Sequence, residues 1–418
     1  MKVFKFGGAS VKDAAGVRNL ADIVQTQGQG AVVVISAMGK TTNALEAVVR
    51  TYMNRQADEL QHNLQTLQTY HESIMGELAG GDFSAVHQTL RTLSDYLRRP
   101  PSARYDETYD QIVSIGELLS TQIVAAYLSH IELPVRWVDA REVVRTDATF
   151  REGRVDWDAT QQRIVKTVTG PVTTITQGFI GQTGSPDGTG YRTTTLGREG
   201  SDYTAAIFAY CLDAESVTIW KDVPGVLNAD PKYFDETVLL EKLTYQDAIE
   251  LAYYGATVIH PKTMKPLQNK GIPLYVRSFV QPGAPGTMIG HVEQRLTTPS
   301  FIFKVNQVLI SLHPNDFSFI AEDNLSRIFG RFAQVGVKIN LMQNTAISFS
   351  VVVDNNPDRL PALLTVLRQD FRVTYNDGLE LITIRHYDQP TIDRVLVDKK
   401  LLLEQKSRYT AQLVVKNL

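Results

Sequence analysis

The apolar positions of this chain follow two rhythms, short continuous runs and helical repeats. Val3, Phe4 and Phe6 read as a short buried strand that Gly7 and Gly8 end. Through "KDAAGVRNLADIVQTQ", Val17, Leu20, Ile23 and Val24 recur at helical spacing. "AVVVIS", from Ala31, is β-branched and apolar throughout, the pattern of a strand buried on both faces of a parallel sheet. Strand, helix and strand make a βαβ unit. Residues 43–79 read as long polar-faced helices, and no proline occurs before Pro100. Further parallel-type strands are expected at 133–140, 172–181 and 216–223, and a helix at 201–212. Seven of the 28 glycines fall between Gly178 and Gly200, where a long functional or disordered loop is expected.

A boundary follows "QPGAPGTMIG", and beyond it the rhythm changes. Strand, helix, two strands, helix and strand succeed one another over about 301–386, which is the ferredoxin-like order. The last stretch adds a short helix and two strands, "KLLLEQ" and "AQLVV", and reads as an incomplete second copy. Two domains are expected, 1–292 and 293–418.

Composition narrows the class. With 43% hydrophobic and 21% charged residues, 418 residues can build an ordinary core. A net charge of −3 without a basic block gives nucleic-acid binding no electrostatic support. The one cysteine, Cys211, excludes an intramolecular disulfide and suggests a reducing compartment. No signal-peptide pattern opens the chain, and the apolar run "AVVVISAM" is too short to span a bilayer. The expectation is a cytoplasmic protein without a membrane role.

The candidate chemistry gathers at strand ends. Lys5, Gly7, Gly8 and Ser10 follow the first strand; glycine amides, a cation and a hydroxyl together suit an anion. The competing reading is a tight turn with a solvated lysine. Ser36, Gly39, Thr42 and Asn43 follow the second strand in "ISAMGKTTN". "LGREGSD" sets Arg198, Ser201 and Asp202 at a helix start, where dipole and free N–H groups favour anions. Asp202 alone is more often a helix cap. "WKDVPG" places Lys221 and Asp222 at another strand end. Ligands of open α/β sheets bind outside such ends. Glu117 stands in the apolar helical "VSIGELLS", either on an amphipathic face or as a cleft carboxylate for an ammonium. His260 is alone, and a structural or capping role is expected for it. Neither a Walker loop nor the dinucleotide fingerprint is present.

In family order, "KFGGASV", "VVVISAMGKTTN", "SIGELLS", "DAREVVRTD", "TTTLGREGSDYTAA", "WKDVPGVLNADP" and "YYGATVIHPKT" resemble the aspartate kinases, members of the amino-acid kinase fold. The remainder resembles their ACT regulatory domains. The resemblance implies an α/β amino-acid kinase fold, a mainly parallel sheet sandwiched by helices, followed by an α+β ferredoxin-like ACT region. It implies that ATP phosphorylates the side-chain carboxylate of L-aspartate, with Mg²⁺ carried by the ATP phosphates rather than by a protein metal site. Lys5 is then expected on the transferring phosphoryl group, with Gly7, Gly8, Ser10 and Ser36 around the phosphates. Glu117 is expected on the substrate ammonium, Arg198 on its α-carboxylate, and Thr42 and Ser201 beside the substrate. Asp202 would orient the lysine, and Lys221, Asp222, Lys232 and Thr257 would fall near the nucleotide. A homodimer through the ACT region is implied as well.

The chain departs from the family pattern. Thr257 stands where lysine is common in "GAKVLHP", and Lys221 where threonine is common in "WTDVPG". In lysine-responsive relatives an acid often stands where this chain has Asn340, and "EDNL" replaces Gly-Phe-Leu. Two other readings compete: a kinase for glutamate or N-acetylglutamate, and a non-catalytic amino-acid sensor. The sensor reading expects loss of Lys5 or Asp202, and both are present.

Overall fold

The computed structural model describes the chain apart from residues 185–189, 235, 256–258, 294–295 and 317. It forms two compact units. The first comprises Met1–Val226, Leu239–Ile249 and Val258–Arg295, the second Leu227–Val238, Glu250–Thr257 and Leu296–Leu418. Beside the expected boundary after residue 292, the second unit therefore also takes in 227–238 and 250–257.

The chain begins β1 (Lys2–Phe6), α1 (Ala14–Gln27), β2 (Val32–Ile35) and α2 (Thr41–Met53), as the apolar rhythm dictates. A helical excursion follows, α3 (Ala57–Leu78), α4 (Ser84–Leu97), α5 (Tyr105–Val113) and α6 (Ile115–His130). The stretch Tyr105–His130 has the length and composition of a membrane span, but 72% of its most apolar window is buried inside the protein. It is longer than "AVVVISAM" and is a core element. Next come β3 (Val135–Val138), α7 (Ala140–Val143), α8 (Trp157–Thr167), β4 (Thr173–Gln177), β5 (Ile180–Gly184), β6 (Tyr191–Thr195), α9 (Gly200–Cys211) and β7 (Ser216–Lys221). Then follow β8 (Lys242–Thr244), α10 (Tyr245–Tyr254), α11 (Pro261–Lys270), β9 (Leu274–Ser278) and β10 (Thr287–Gly290).

Eight of these strands form one sheet in the order β3-β4-β2-β1-β7-β9-β10-β8. Only the β9–β10 pairing is antiparallel. β1 lies inside, with Lys5 paired to Val34 of β2 and Ile219 of β7. Alternation turns Phe4 and Phe6 to one face, where Phe6 stacks on Trp220 at 6.1 Å, and leaves Lys5 for the other.

Two expectations change here. The strand expected over 172–181 breaks into β4 and β5, because Gly178 runs against α9: an added Cβ would lie 2.4 Å from that of Ser201. The expected glycine-rich loop is an antiparallel hairpin, β5–β6, with Ile180 opposite Thr195 and a tip outside the described residues.

The second unit contains β11 (Ser300–Pro314), α12 (Glu322–Val335), β12 (Ile339–Asn344), β13 (Phe349–Asp354), α13 (Leu360–Asp370), β14 (Phe371–Arg385), α14 (Gln389–Val395), β15 (Lys399–Lys406) and β16 (Thr410–Asn417). Its sheet runs β12-β13-β11-β14-β16-β15 and every pairing is antiparallel. The first four strands have the ferredoxin-like arrangement. The reduced second copy takes the first half of β11 and the second half of β14 as its own, adding β16 and β15. Phe301, Ile382, Ile384, Ile392 and Leu413 share its core.

Candidate active site

Three strand ends of the first unit carry the site. Lys5, one residue before the end of β1, is 8% exposed. Its Nζ lies 2.6 Å from Oδ1 of Asp202, which the first turn of α9 delivers 3% exposed. Lys221, last residue of β7, places its Nζ 3.9 Å from Oδ2 of the same carboxylate. Asp202 therefore stands between two ammonium groups, and is not a helix cap.

The glycine turn after β1 sits against the end of β2. The Gly8 carbonyl accepts from Gly39 N at 3.0 Å, and a Cβ on Gly8 would lie 2.5 Å from the Ala37 carbonyl. Only glycine allows that approach. A Cβ on Gly7 would lie 3.5 Å from Lys5 Nζ, so the missing side chain leaves the ammonium open. Ser10 is buried and its N–H donates to the Gly7 carbonyl at 3.0 Å. The Ser36 carbonyl, just past β2, accepts from Ser120 Oγ at 2.7 Å. Thr42 lies half-buried in the first turn of α2, where free N–H groups face outward.

Glu117, in the first turn of α6, is 3% exposed. Oε1 accepts from Ala37 N at 3.3 Å, while Oε2 is buried without a hydrogen-bond partner. Burial pushes this carboxyl up to about 8, against the pull of the Ala37 N–H and of Lys5. A buried carboxyl with one unused oxygen is prepared for a cation.

Arg198 is exposed in the turn before α9 and opens onto a cavity of about 500 Å³. The cavity walls include Thr149–Glu152, Phe179 and Gly197–Glu199. Behind them lies a residue the sequence reading missed. Asp110 is fully buried and accepts from Thr195 N and Thr195 Oγ1, both at 2.8 Å, and from Arg151 N at 2.9 Å. Burial pushes its carboxyl up to about 6, opposed by those bonds and by Arg151. The available signal was spacing: Asp110 and Glu117 are seven residues, about two helical turns, apart. Lys262 was missed too. Its Nζ donates to the Leu196 carbonyl at 2.9 Å and lies 4.6 Å from the Tyr203 ring centre, and burial lowers its pKa.

A second cavity, about 370 Å³, brings Ser10 and Asp222 together beside Phe279 and the start of α1. Lys232 is exposed and belongs to the second unit, and Thr257 lies outside the described residues. His260 caps α11, its Nδ1 accepting from Lys262 N at 3.2 Å, the expected structural role.

Chemically, the arrangement offers two cations and glycine amides to one anionic group, a cation-seeking carboxyl beside them, and an arginine for a second anion. An uncharged substrate would leave most of these groups unused.

The Glu117 environment gives a signed prediction. Because burial raises its pKa from 4.5 to about 8, the folded state binds this proton more tightly than the unfolded chain. Stability is therefore lost as pH rises through that window, by an order of a few kcal/mol. Glu117→Gln is expected to match the wild-type melting temperature near pH 5 and exceed it by several degrees near pH 9. Calorimetry at both pH values checks this; an equal difference at both would place Glu117 in water.

Comparison with known proteins identifies the family. The profile of the amino acid kinase family matches residues 1–278. Lysine-sensitive aspartokinase 3 of Escherichia coli K12 is 31% identical over 399 residues, covering 91% of this chain and 86% of the relative. Aspartokinase 1, chloroplastic, of Arabidopsis thaliana is 32% identical over 375 residues, covering 84% of this chain and 63% of the relative. The crystal structure of E. coli aspartokinase III in complex with aspartate and ADP superposes with a TM-score of 0.81 at 28% identity, covering 100% of this chain and 96% of that one. Sequence motifs, fold and relatives agree: this chain belongs to the aspartate kinases of the amino acid kinase family.

Proposed function

We propose that the first unit transfers the γ-phosphoryl group of ATP to the side-chain carboxylate of L-aspartate. The observation that carries this reading is the buried Lys5–Asp202 pair at 2.6 Å, set where three strand ends and a glycine turn converge. A carboxylate oxygen of aspartate attacks the γ-phosphorus, the bond to the β,γ-bridging oxygen breaks, and ADP leaves. The nucleophile is already ionised at neutral pH, so no general base is needed. What remains is positioning and charge compensation.

Lys5 supplies a cation to the transferring group, and Asp202 holds it in place. Gly7, Gly8, Ser10 and Ser36 line the phosphate side, and Asp222 adds a contact to the nucleotide. Mg²⁺ riding on the ATP phosphates adds further charge compensation. Lys221 acts as a second cation beside the transferring group; its 3.9 Å approach to Asp202 supports this. Glu117 receives the substrate ammonium through its unpartnered oxygen, Arg198 receives the α-carboxylate, and Thr42 and Ser201 flank the substrate. An ADP-release assay with aspartate, glutamate and N-acetylglutamate tests the reaction: turnover on aspartate alone is expected, and preference for either other substrate refutes the assignment.

Lys5→Ala is expected to lower kcat by about 10²–10³-fold with the fold intact, the scale of losing one preorganised donor, about 3–4 kcal/mol. Steady-state kinetics with circular dichroism measures both. Retention of more than a tenth of wild-type turnover would remove Lys5 from the transferring group.

Glu117→Ala and Arg198→Ala are expected to weaken aspartate at least tenfold and ATP hardly at all, by titration calorimetry. Binding of the ammonium must ionise Glu117. Aspartate affinity should therefore rise with pH between 6 and 8, by up to about tenfold per unit, with release of a proton. In Glu117→Ala the slope should vanish; equal losses for ATP and aspartate would indicate a structural role instead.

The second unit is proposed as an ACT-type regulatory and dimerisation region with weak or no lysine feedback, in an enzyme that opens the route to lysine, threonine and methionine. Exposed Phe319, Met342 and Ile347 support a homodimer interface there. Asn340 is already engaged: its Oδ1 accepts from Lys304 Nζ at 2.9 Å, and its Nδ2 donates to Gln307 Oε1 at 2.8 Å and Asp354 Oδ1 at 2.9 Å. An internal ammonium thus occupies the amide an effector ammonium would need. Glu322 and Asp323 stand exposed in the first turn of α12 and repel a carboxylate. Millimolar lysine at subsaturating aspartate is expected to inhibit turnover less than about tenfold, or 1.4 kcal/mol; stronger inhibition refutes this part.

A further inference from the structure

We propose that Asp110 is the positioning residue of the amino-acid pocket: its buried side chain ties the turn carrying Arg198 to the opposite wall and so sets substrate affinity without touching the substrate. The proposal rests on the reading of Arg198 as the contact for the α-carboxylate.

β6 pairs with β5 along one edge only, and side chains of α5 occupy the other. Glu107 Oε1 accepts from Arg192 Nε at 3.1 Å. Gln111 accepts from Thr193 N at 3.1 Å and donates to the Thr193 carbonyl at 2.8 Å, as a neighbouring strand would. Asp110 is the last rung. It takes both the N–H and the hydroxyl of Thr195, immediately before the 196–199 turn. One α5 face thus stands in for a third strand and fixes where that turn begins.

The same carboxylate reaches the other wall. Oδ2 accepts from Arg151 N, and Arg151 holds a left-handed backbone at φ 67° with its guanidinium 4.3 Å over the Tyr109 ring centre. A non-glycine residue keeps that conformation only where its surroundings hold it. Gly153 N donates to the Thr195 carbonyl at 2.8 Å, joining the walls once more. The loop at 149–153 and the turn at 195–199 therefore meet on one side chain that is 0% exposed and does not line the cavity. Without it, two backbone N–H groups lose their acceptor, and the two walls lose a common anchor.

An asparagine can still accept both N–H groups through its oxygen while its NH₂ donates to the Thr195 hydroxyl. Alanine can do neither. The expected order of aspartate KM is therefore Asp110→Ala above Asp110→Asn above wild type, with Thr195→Val also raised because it loses one of the three bonds.

The experiment is steady-state kinetics of Asp110→Ala, Asp110→Asn, Thr195→Val and Arg198→Ala, with melting temperatures measured alongside. In Asp110→Ala, aspartate KM is expected to rise about tenfold or more, while ATP KM stays within about twofold and kcat at saturating aspartate within about threefold. Equal rises in both KM values, or an unchanged aspartate KM, overturn the proposal. Should Asp110→Ala fail to fold, Asp110→Asn and Thr195→Val decide, and an unchanged aspartate KM in both overturns it. Arg198→Ala separates the two claims. If it leaves aspartate KM unchanged, the reading of Arg198 has failed. If it raises KM while the Asp110 and Thr195 variants do not, only the present inference has failed.

Discussion

A lysine ammonium and an aspartate carboxylate share a nearly dry position at the C-terminal ends of inner strands, and the catalytic unit is organised around keeping them there. The side chains of Lys5 and Asp202 are 10% and 4% exposed at 2.6 Å separation. Burying such a pair costs several kcal/mol of desolvation per ion, which good geometry recovers only in part. Well-packed apolar residues would serve stability as well or better, so the pair is explained by what it prepares. Two buried strands flank β1, Phe4 and Phe6 pack on its other face, and the first turn of α9 sets Asp202 on Lys5. With the lysine held, its ammonium stays open on the side beyond Gly7, and in the proposed reaction it would meet the anion without reorganisation.

Glu117 shows the same logic from the opposite side. Here a buried carboxyl is left incompletely partnered, a cost to the fold that the proposed substrate ammonium would remove. The Ala37 N–H fixes Oε1 in place and Oε2 is left over. The Ala37 carbonyl also lies against the Gly8 position, so the Glu117 carboxyl and the glycine turn meet on one residue just past β2. These candidate groups are therefore linked through backbone and not through flexible side chains, which would suit the proposed reaction, since it depends on positioning.

How far this was legible in the sequence follows the range of the interactions. The β1–α1–β2 unit is local, and its rhythm of apolar residues predicted it directly. Lys5, Asp202 and Glu117 stood out because charged residues at strand ends, or within an apolar helix, contradict their surroundings. The β5–β6 hairpin did not, since its turn and the break at Gly178 depend on the packing of Ser201 from the next helix. Asp110 was hidden for a related reason. Its partners Arg151 and Thr195 lie 41 and 85 residues away in the chain, and "YDETYDQ" alone reads as a solvated acidic helix start. Local pattern reveals which residues are unusual; only the fold reveals what a buried polar residue holds together.

The second unit extends this point. β11 and β14 each run 15 residues, and each serves two half-sheets. Their pairing shifts register between Lys304 and Leu309, where Asn306 takes a left-handed backbone at φ 54°. A bulge in a long pairing invites slippage, since a shift by one residue would turn every side chain to the wrong face. The Lys304–Asn340–Gln307–Asp354 network lies at this junction, with Gln307 1% exposed and its Nε2 donating to Asp354 Oδ1 at 2.8 Å. Such a network is satisfied in one register and broken in any other, so it specifies the pairing. The same hydrogen bonds that satisfy these polar groups hold β11 to one register across the bulge.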